Sequence, residues 1–125
     1  MVRLERNVVL ALHERLVAVH GGPAGLRDRG LLDSALARPR NVAAYGAPDL
    51  CALAAAYAVG IARNHPFVDG NKRTALMAAY VFLGRNGARL VAPEDAATRT
   101  MVALAAGTLD EDALADWLRA NTQPW

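Results

Sequence analysis

The run Leu50-Cys51-Ala52-Leu53-Ala54-Ala55-Ala56-Tyr57-Ala58-Val59-Gly60-Ile61-Ala62-Arg63 leads, after Asn64, into His65-Pro66-Phe67-Val68-Asp69-Gly70-Asn71-Lys72-Arg73-Thr74. The first part sets Leu50, Leu53, Tyr57 and Ile61 on one helical stripe, so residues 49–63 read as a long helix. Its many alanines would let another helix approach closely, as expected of the central helix of a bundle. A loop follows over 64–70. Beyond it Ala75, Leu76, Ala79, Phe82 and Leu83 form the buried face of a second long helix, 71–86, stopped by Asn86-Gly87. Two long helices joined by one unusual loop set the frame.

Outward from that frame the pattern stays helical. Val8, Leu12, Leu16 and Val19 predict an amphipathic helix over 5–20, ended by Gly21-Gly22-Pro23. Residues 23–30 read as a loop. Leu31 to Arg38 form a short helix with Asp28 as a cap near its start and Pro39 as its stop. Asn41, Gly46 and Pro48 make 39–48 irregular. Ala88 to Val91 are briefly extended. Pro93 opens a further helix whose first turn holds Glu94 and Asp95, and Gly107 ends it. A last helix spans 110–120, with Thr108 and Glu111 in capping-box spacing. Tyr57, Tyr80 and Phe82 read as core, and Trp117 packs the last helix onto the bundle. The fold class is all-α: a single domain, 1–125, built as a compact bundle of about six helices.

Composition excludes several functions. With 125 residues, 54% hydrophobic and 21% charged, the chain is neither disordered nor of low complexity. Fourteen Lys+Arg against twelve Asp+Glu leave +2, too little for a polyanion binder, so direct DNA binding is not expected. The single cysteine, Cys51, cannot form an internal disulfide and lies in an apolar run that reads as core. No apolar stretch reaches the ~18–20 residues of a membrane span. Arg3, Glu5 and Arg6 do not resemble a leader sequence, so the expectation is a cytoplasmic protein. His13 and His20 lie about 10 Å apart along one helix, too far to share a metal, and read as surface or capping residues. Arg27, Arg29, Arg38 and Arg40 read as a solvated loop face.

The loop concentrates the chemistry. Histidine is the side chain suited to taking a proton near neutral pH, which makes His65 a candidate base. Asp69 supplies a carboxylate, the usual ligand for a Mg²⁺ that arrives bound to phosphate. Gly70 and Asn71 turn backbone N–H groups toward one point and open a helix, whose N-terminus attracts anions. Lys72, the only lysine, and Arg73 then oppose the helix dipole in the first turn, where stability alone would favour acids. An anion held by Gly70, Asn71, Lys72, Arg73 and Thr74 explains that placement, and phosphate suits it.

His65-Pro66-Phe67-Val68-Asp69-Gly70-Asn71-Lys72-Arg73 resembles the signature loop of the Fic/Doc superfamily, specifically its Doc (death-on-curing) toxin branch. Gly21-Gly22-Pro23-Ala24-Gly25-Leu26-Arg27-Asp28, Leu31 to Pro39 and Phe82 to Gly87 extend the likeness along nearly the whole chain. The resemblance implies that His65 deprotonates a protein hydroxyl, Asp69 binds Mg²⁺, Gly70 and Asn71 form an anion hole, and Arg73 holds a phosphate. Pro66 and Phe67 would support the loop, and by analogy segment 39–48 beside the motif is the candidate surface for docking a target. Lys72 stands where nucleotidylating Fic proteins have glycine, and Leu76 where they have a second arginine. These departures, with the branch's own association, imply transfer of the γ-phosphoryl group of ATP to a threonine or serine of elongation factor Tu, arresting translation. Transfer of AMP, or a catalytically silent nucleotide- or antitoxin-binding module, is the alternative. No inhibitory Ser/Thr-x-x-x-Glu-Gly/Asn pattern occurs in the chain, so a Phd-like antitoxin is the expected brake.

Overall fold

Asp49 opens the middle helix, Leu50–Asn64, by accepting the Ala52 N–H at 2.8 Å. Every residue from Leu53 to Ala62 is buried, so this helix is covered on all sides. The computed structural model describes residues 1–125 and gives the order α1 (Arg6–His20), α2 (Arg29–Ala44), α3 (Leu50–Asn64), α4 (Asn71–Arg85), β1 (Ala88–Leu90), α5 (Glu94–Ala106), α6 (Glu111–Ala120) and β2 (Thr122–Pro124). Helices α2, α4, α5 and α6 pack around α3, and α1 lies against α4. Ile61, Phe82, Leu83, Leu104, Leu114 and Leu118 are fully buried in one continuous core. The all-α bundle predicted from the sequence is the fold observed.

Small residues allow the closest crossing. A Cβ on Gly60 would lie 2.8 Å from the Ala35 Cα and 3.0 Å from its carbonyl oxygen, so α2 and α3 meet backbone to backbone. Helix α2 outruns its predicted end. Pro39 does not stop it: the helix continues to Ala44 with the proline ring buried. Burial of the ring offsets part of the roughly 3 kcal/mol that an interior proline costs. The irregular segment predicted over 39–48 therefore shrinks to the residues between Ala44 and Leu50. At the other end of α2 the predicted cap holds, with Asp28 accepting the Leu31 N–H at 3.0 Å, although the helix begins at Arg29 within the expected loop.

Other local readings change. Helix α6 is capped by Asp110, which accepts the Ala113 N–H at 2.8 Å, while Thr108 donates its hydroxyl back to Ala103 O. The helix starts one residue after Asp110, so Thr108 lies too far back to form a capping box. The predicted extended piece pairs antiparallel with Thr122–Pro124, Leu90 opposite Thr122, a partner no local pattern announced. Trp125 donates its N–H to Gly87 O at 3.0 Å and lies 5.3 Å from the Arg89 guanidinium. Tyr57 and Phe82 are core, their ring centroids 5.0 Å apart, but Tyr80 is exposed. Cys51 is buried and free, and burial pushes its thiol up from the ordinary value. No helix is long and apolar enough to cross a membrane.

Candidate active site

His65 directly follows α3 and closes it. Its N–H bonds to Ile61 O at 3.3 Å, and its backbone is left-handed at φ 50, ψ 55, the only non-glycine residue with positive φ. Such a conformation costs about 1–3 kcal/mol and persists only where neighbours impose it. Arg27 is one such neighbour: its Nε donates to His65 O at 2.8 Å and its Nη2 to Asn64 O at 3.1 Å. The α3 carbonyls thus find a cation at their negative end. The loop that follows is laced to Gly25–Asp28. The N–H groups of Arg27 and Asp28 bond to Pro66 O at 2.7 and 3.0 Å, and Val68 N–H bonds to Gly25 O. Residues 25–28, rather than 39–48, flank the motif.

Inside the loop, Pro66 and Phe67 are buried, as expected of supporting residues. Asn71 is 6% exposed, and its amide grips Phe67 twice. Oδ1 accepts the Phe67 N–H and Nδ2 donates to Phe67 O, both at 3.0 Å, with His65 Nδ1 3.3 Å from Nδ2. The side chain of Asn71 therefore braces the loop, which leaves its backbone N–H for an anion. Gly70, at φ 77, is the N-cap of α4 and provides no side-chain cap. The first turn holds no acid, while Lys72 and Arg73 are exposed and belong to none of the five ion pairs. A helix start that is uncapped and doubly cationic favours a bound anion.

These groups share one cavity of about 550 Å³, within the range of small-molecule sites. His65, Asp69, Gly70, Asn71, Lys72 and Arg73 form its polar side, and Leu76, Met101 and Val102 give it an apolar wall from α4 and α5. Thr74 is not part of it. At about 100° per residue it turns onto the core face with Ala75 and Ala78. There it is fully buried, and its hydroxyl has no partner. The assignment of Thr74 to the anion site is therefore corrected, by a periodicity already present in the sequence.

Sequence reading missed three contributors outside the motif. Arg27, read as solvated, caps α3. His13, read as a surface residue, is 4% exposed and stacks on Phe67 with ring centroids 3.8 Å apart and planes 7° apart. Gly22, at φ 101, lies so close to Asp69 that a Cβ there would meet its Oδ2 at 2.6 Å. Only the spacing of Val9 and His13 on one helical face hinted at the second of these. Arg38 pairs with Glu111 at 2.6 Å and is not free for a ligand.

Comparison with known proteins agrees with this geometry. A sequence model described as the Fic/DOC family matches residues 3–83. Protein kinase doc of Escherichia phage P1 is 38% identical over 120 residues, covering 95% of this chain and 94% of that protein. Toxin Doc of Mycolicibacterium smegmatis is 52% identical over 79 residues, 60% of this chain and 59% of that protein. Matched by the family model over most of its length and by the phage protein almost end to end, the chain belongs to the Doc branch of the Fic/DOC family.

Proposed function

We infer that this protein is the toxin of a toxin–antitoxin pair and transfers the γ-phosphoryl group of ATP to a threonine or serine hydroxyl of a host protein. The observation that carries the reading is the shared cavity, in which His65 faces a helix start where Lys72 and Arg73 have no ion-pair partner. The similarity to a phage protein kinase supports it. Phosphoryl transfer needs mainly positioning and charge neutralisation, and this cavity offers both.

The phosphates of ATP rest against the first-turn N–H groups of α4, Lys72 and Arg73. The target hydroxyl enters beside His65, which takes its proton as the oxygen forms a bond to the γ-phosphorus. The bond from that phosphorus to the bridging oxygen breaks, and ADP leaves. His65 then releases the proton to solvent. Asp69 is an exposed, lone carboxylate, and no cluster of three ligating side chains surrounds it. That donor set fits Mg²⁺ entering with the nucleotide, since such an ion keeps one or two carboxylates plus phosphate oxygens. When bound, Mg²⁺ would neutralise phosphate charge, and Asp69 is the residue that would hold it. Leu76 lines the cavity where nucleotidylating relatives would clamp a further phosphate, and Lys72 fills space that glycine would leave. Both features favour phosphoryl over AMP transfer.

The Doc branch implies elongation factor Tu as the target, which would place the reaction in the cytoplasm. It also implies a Phd-like antitoxin, whose disordered tail would fold as a helix on the toxin. Label transfer in cell lysate tests the reaction. Label from γ-labelled ATP should appear on protein, and label from α-labelled ATP should not. The reverse pattern would assign AMP transfer, and no transfer of either label would leave a binding module.

A further inference from the structure

His13 lies outside the motif, on α1, yet it touches three consecutive parts of the motif loop. Its ring stacks on Phe67, its Nε2 is 2.8 Å from Asp69 O, and it borders Gly70, where an added Cβ would stand 3.7 Å from the ring. A carbonyl oxygen only accepts, so the Nε2 hydrogen is the donor. The imidazole is almost wholly buried. Its polarity is explained by that one bond.

We propose that His13 is a positioning residue for the nucleotide half of the site. Asn71 and Arg27 fix the first half of the loop, through Phe67 and the His65 carbonyl. Neither of them holds Asp69. His13 makes the only hydrogen bond to the Asp69 carbonyl, and so orients the Asp69–Gly70 peptide. That peptide aims the Asp69 carboxylate and delivers the left-handed Gly70 that starts α4. Losing the bond frees the anion-binding end of the loop while leaving His65 seated. The consequence is a specific split: nucleotide affinity falls more than turnover at saturating nucleotide.

The proposal rests on the phosphotransfer reading only for its kinetic arm. His13→Phe keeps an aromatic ring against Phe67 and removes the donor; His13→Gln keeps a donor of similar reach and removes the ring. Amide hydrogen exchange at Val68 and Thr74, whose N–H groups bond to Gly25 O and Gly70 O, reads the loop without nucleotide or target. His13→Phe should speed exchange at these two amides about tenfold relative to the α3 amides. It should also weaken binding of ATP with Mg²⁺ about tenfold, raise the KM for ATP alike, and change kcat less than about threefold. His13→Gln should stay within about threefold of the natural protein in each measurement. If His13→Phe does not unfold cooperatively, His13→Leu, smaller and also without a donor, replaces it. Unchanged loop exchange in the donor-free variant would overturn the proposal. So would a His13→Gln protein as impaired as His13→Phe, because keeping the donor would then have preserved nothing. Absence of phosphoryl transfer with the exchange pattern as expected would remove the kinase reading and leave this role of His13 standing.

Discussion

Gly60→Ala sets two known effects against each other at the tightest helix crossing. Alanine is favoured over glycine inside a helix by about 1 kcal/mol, so propensity alone predicts a more stable protein. Sterically the new methyl carbon would stand 2.8 Å from the Ala35 Cα, 2.9 Å from its Cβ and 3.0 Å from its carbonyl oxygen. Two of these three neighbours are helix backbone, so no side chain can swing away and α2 must retreat from α3. Overpacking of this kind costs about 1–3 kcal/mol, and a backbone obstacle belongs in the upper part of that range. The net loss is then about 2 kcal/mol, a drop in Tm of roughly 5–10 °C for a chain of this length. Gly84 supplies the control: it is in α4, with nothing within 4 Å of an added Cβ, so Gly84→Ala should raise Tm slightly. Thermal unfolding followed by circular dichroism would compare all three proteins. A Gly60→Ala protein that melts at or above the natural one would refute the packing argument. Because Asp28, at the head of α2, is bonded to Pro66 O, the same retreat should loosen the motif loop and lower activity.

Three further perturbations probe the braces, the charge and the switch. Asn71→Ala strips both polar partners from the buried Phe67 backbone and should cost about 2–4 kcal/mol in urea unfolding, far more than a surface asparagine would. Arg119 bonds to Asp49 and holds its carboxyl below the usual carboxylate range, against the opposing pull of burial. A lowered folded value means the contribution is fully present above the unfolded value, near ~3.9, and fades as pH falls through the folded one. Asp49→Asn keeps a good helix cap, so it should cost under about 1 kcal/mol at neutral pH and melt together with the natural protein in strong acid. A gap that widens on acidification would contradict that sign. Lys72→Gly should lower phosphoryl transfer and unmask some AMP transfer, read by the mass of the modified target; an unchanged product would show that Lys72 does not select the reaction.

Much of this was legible in the sequence because local signals and burial agree. The alanine-rich 49–63 segment reads as a central helix, and it is buried on every side. Asp28, Asp49, Pro93 and Gly107 mark helix ends by chemistry that acts within a few residues. The motif 65–73 carries its histidine and both cations within nine residues, so the sequence names them together. Where tertiary packing decides, local signals mislead: Pro39 continues a helix because its ring is buried, and β1 finds β2 more than thirty residues on. Thr74 lies off the cavity because the motif is already helical there, and the helical turn sends it to the core face. His13, Arg27 and Gly22 could not be assigned from sequence because their partners, Phe67, His65 and Asp69, lie far along the chain.

The central claim is that this cavity moves a phosphoryl group onto a protein hydroxyl with His65 as the base. Intact-mass spectrometry of purified elongation factor Tu, after incubation with the protein, Mg²⁺ and ATP, tests it most directly. His65→Ala is the control, since His65 is exposed and its side chain holds no part of the core. The account predicts a single phosphoryl increment with the natural protein and none with His65→Ala. An AMP increment, or a phosphoryl increment that persists in His65→Ala, would contradict it.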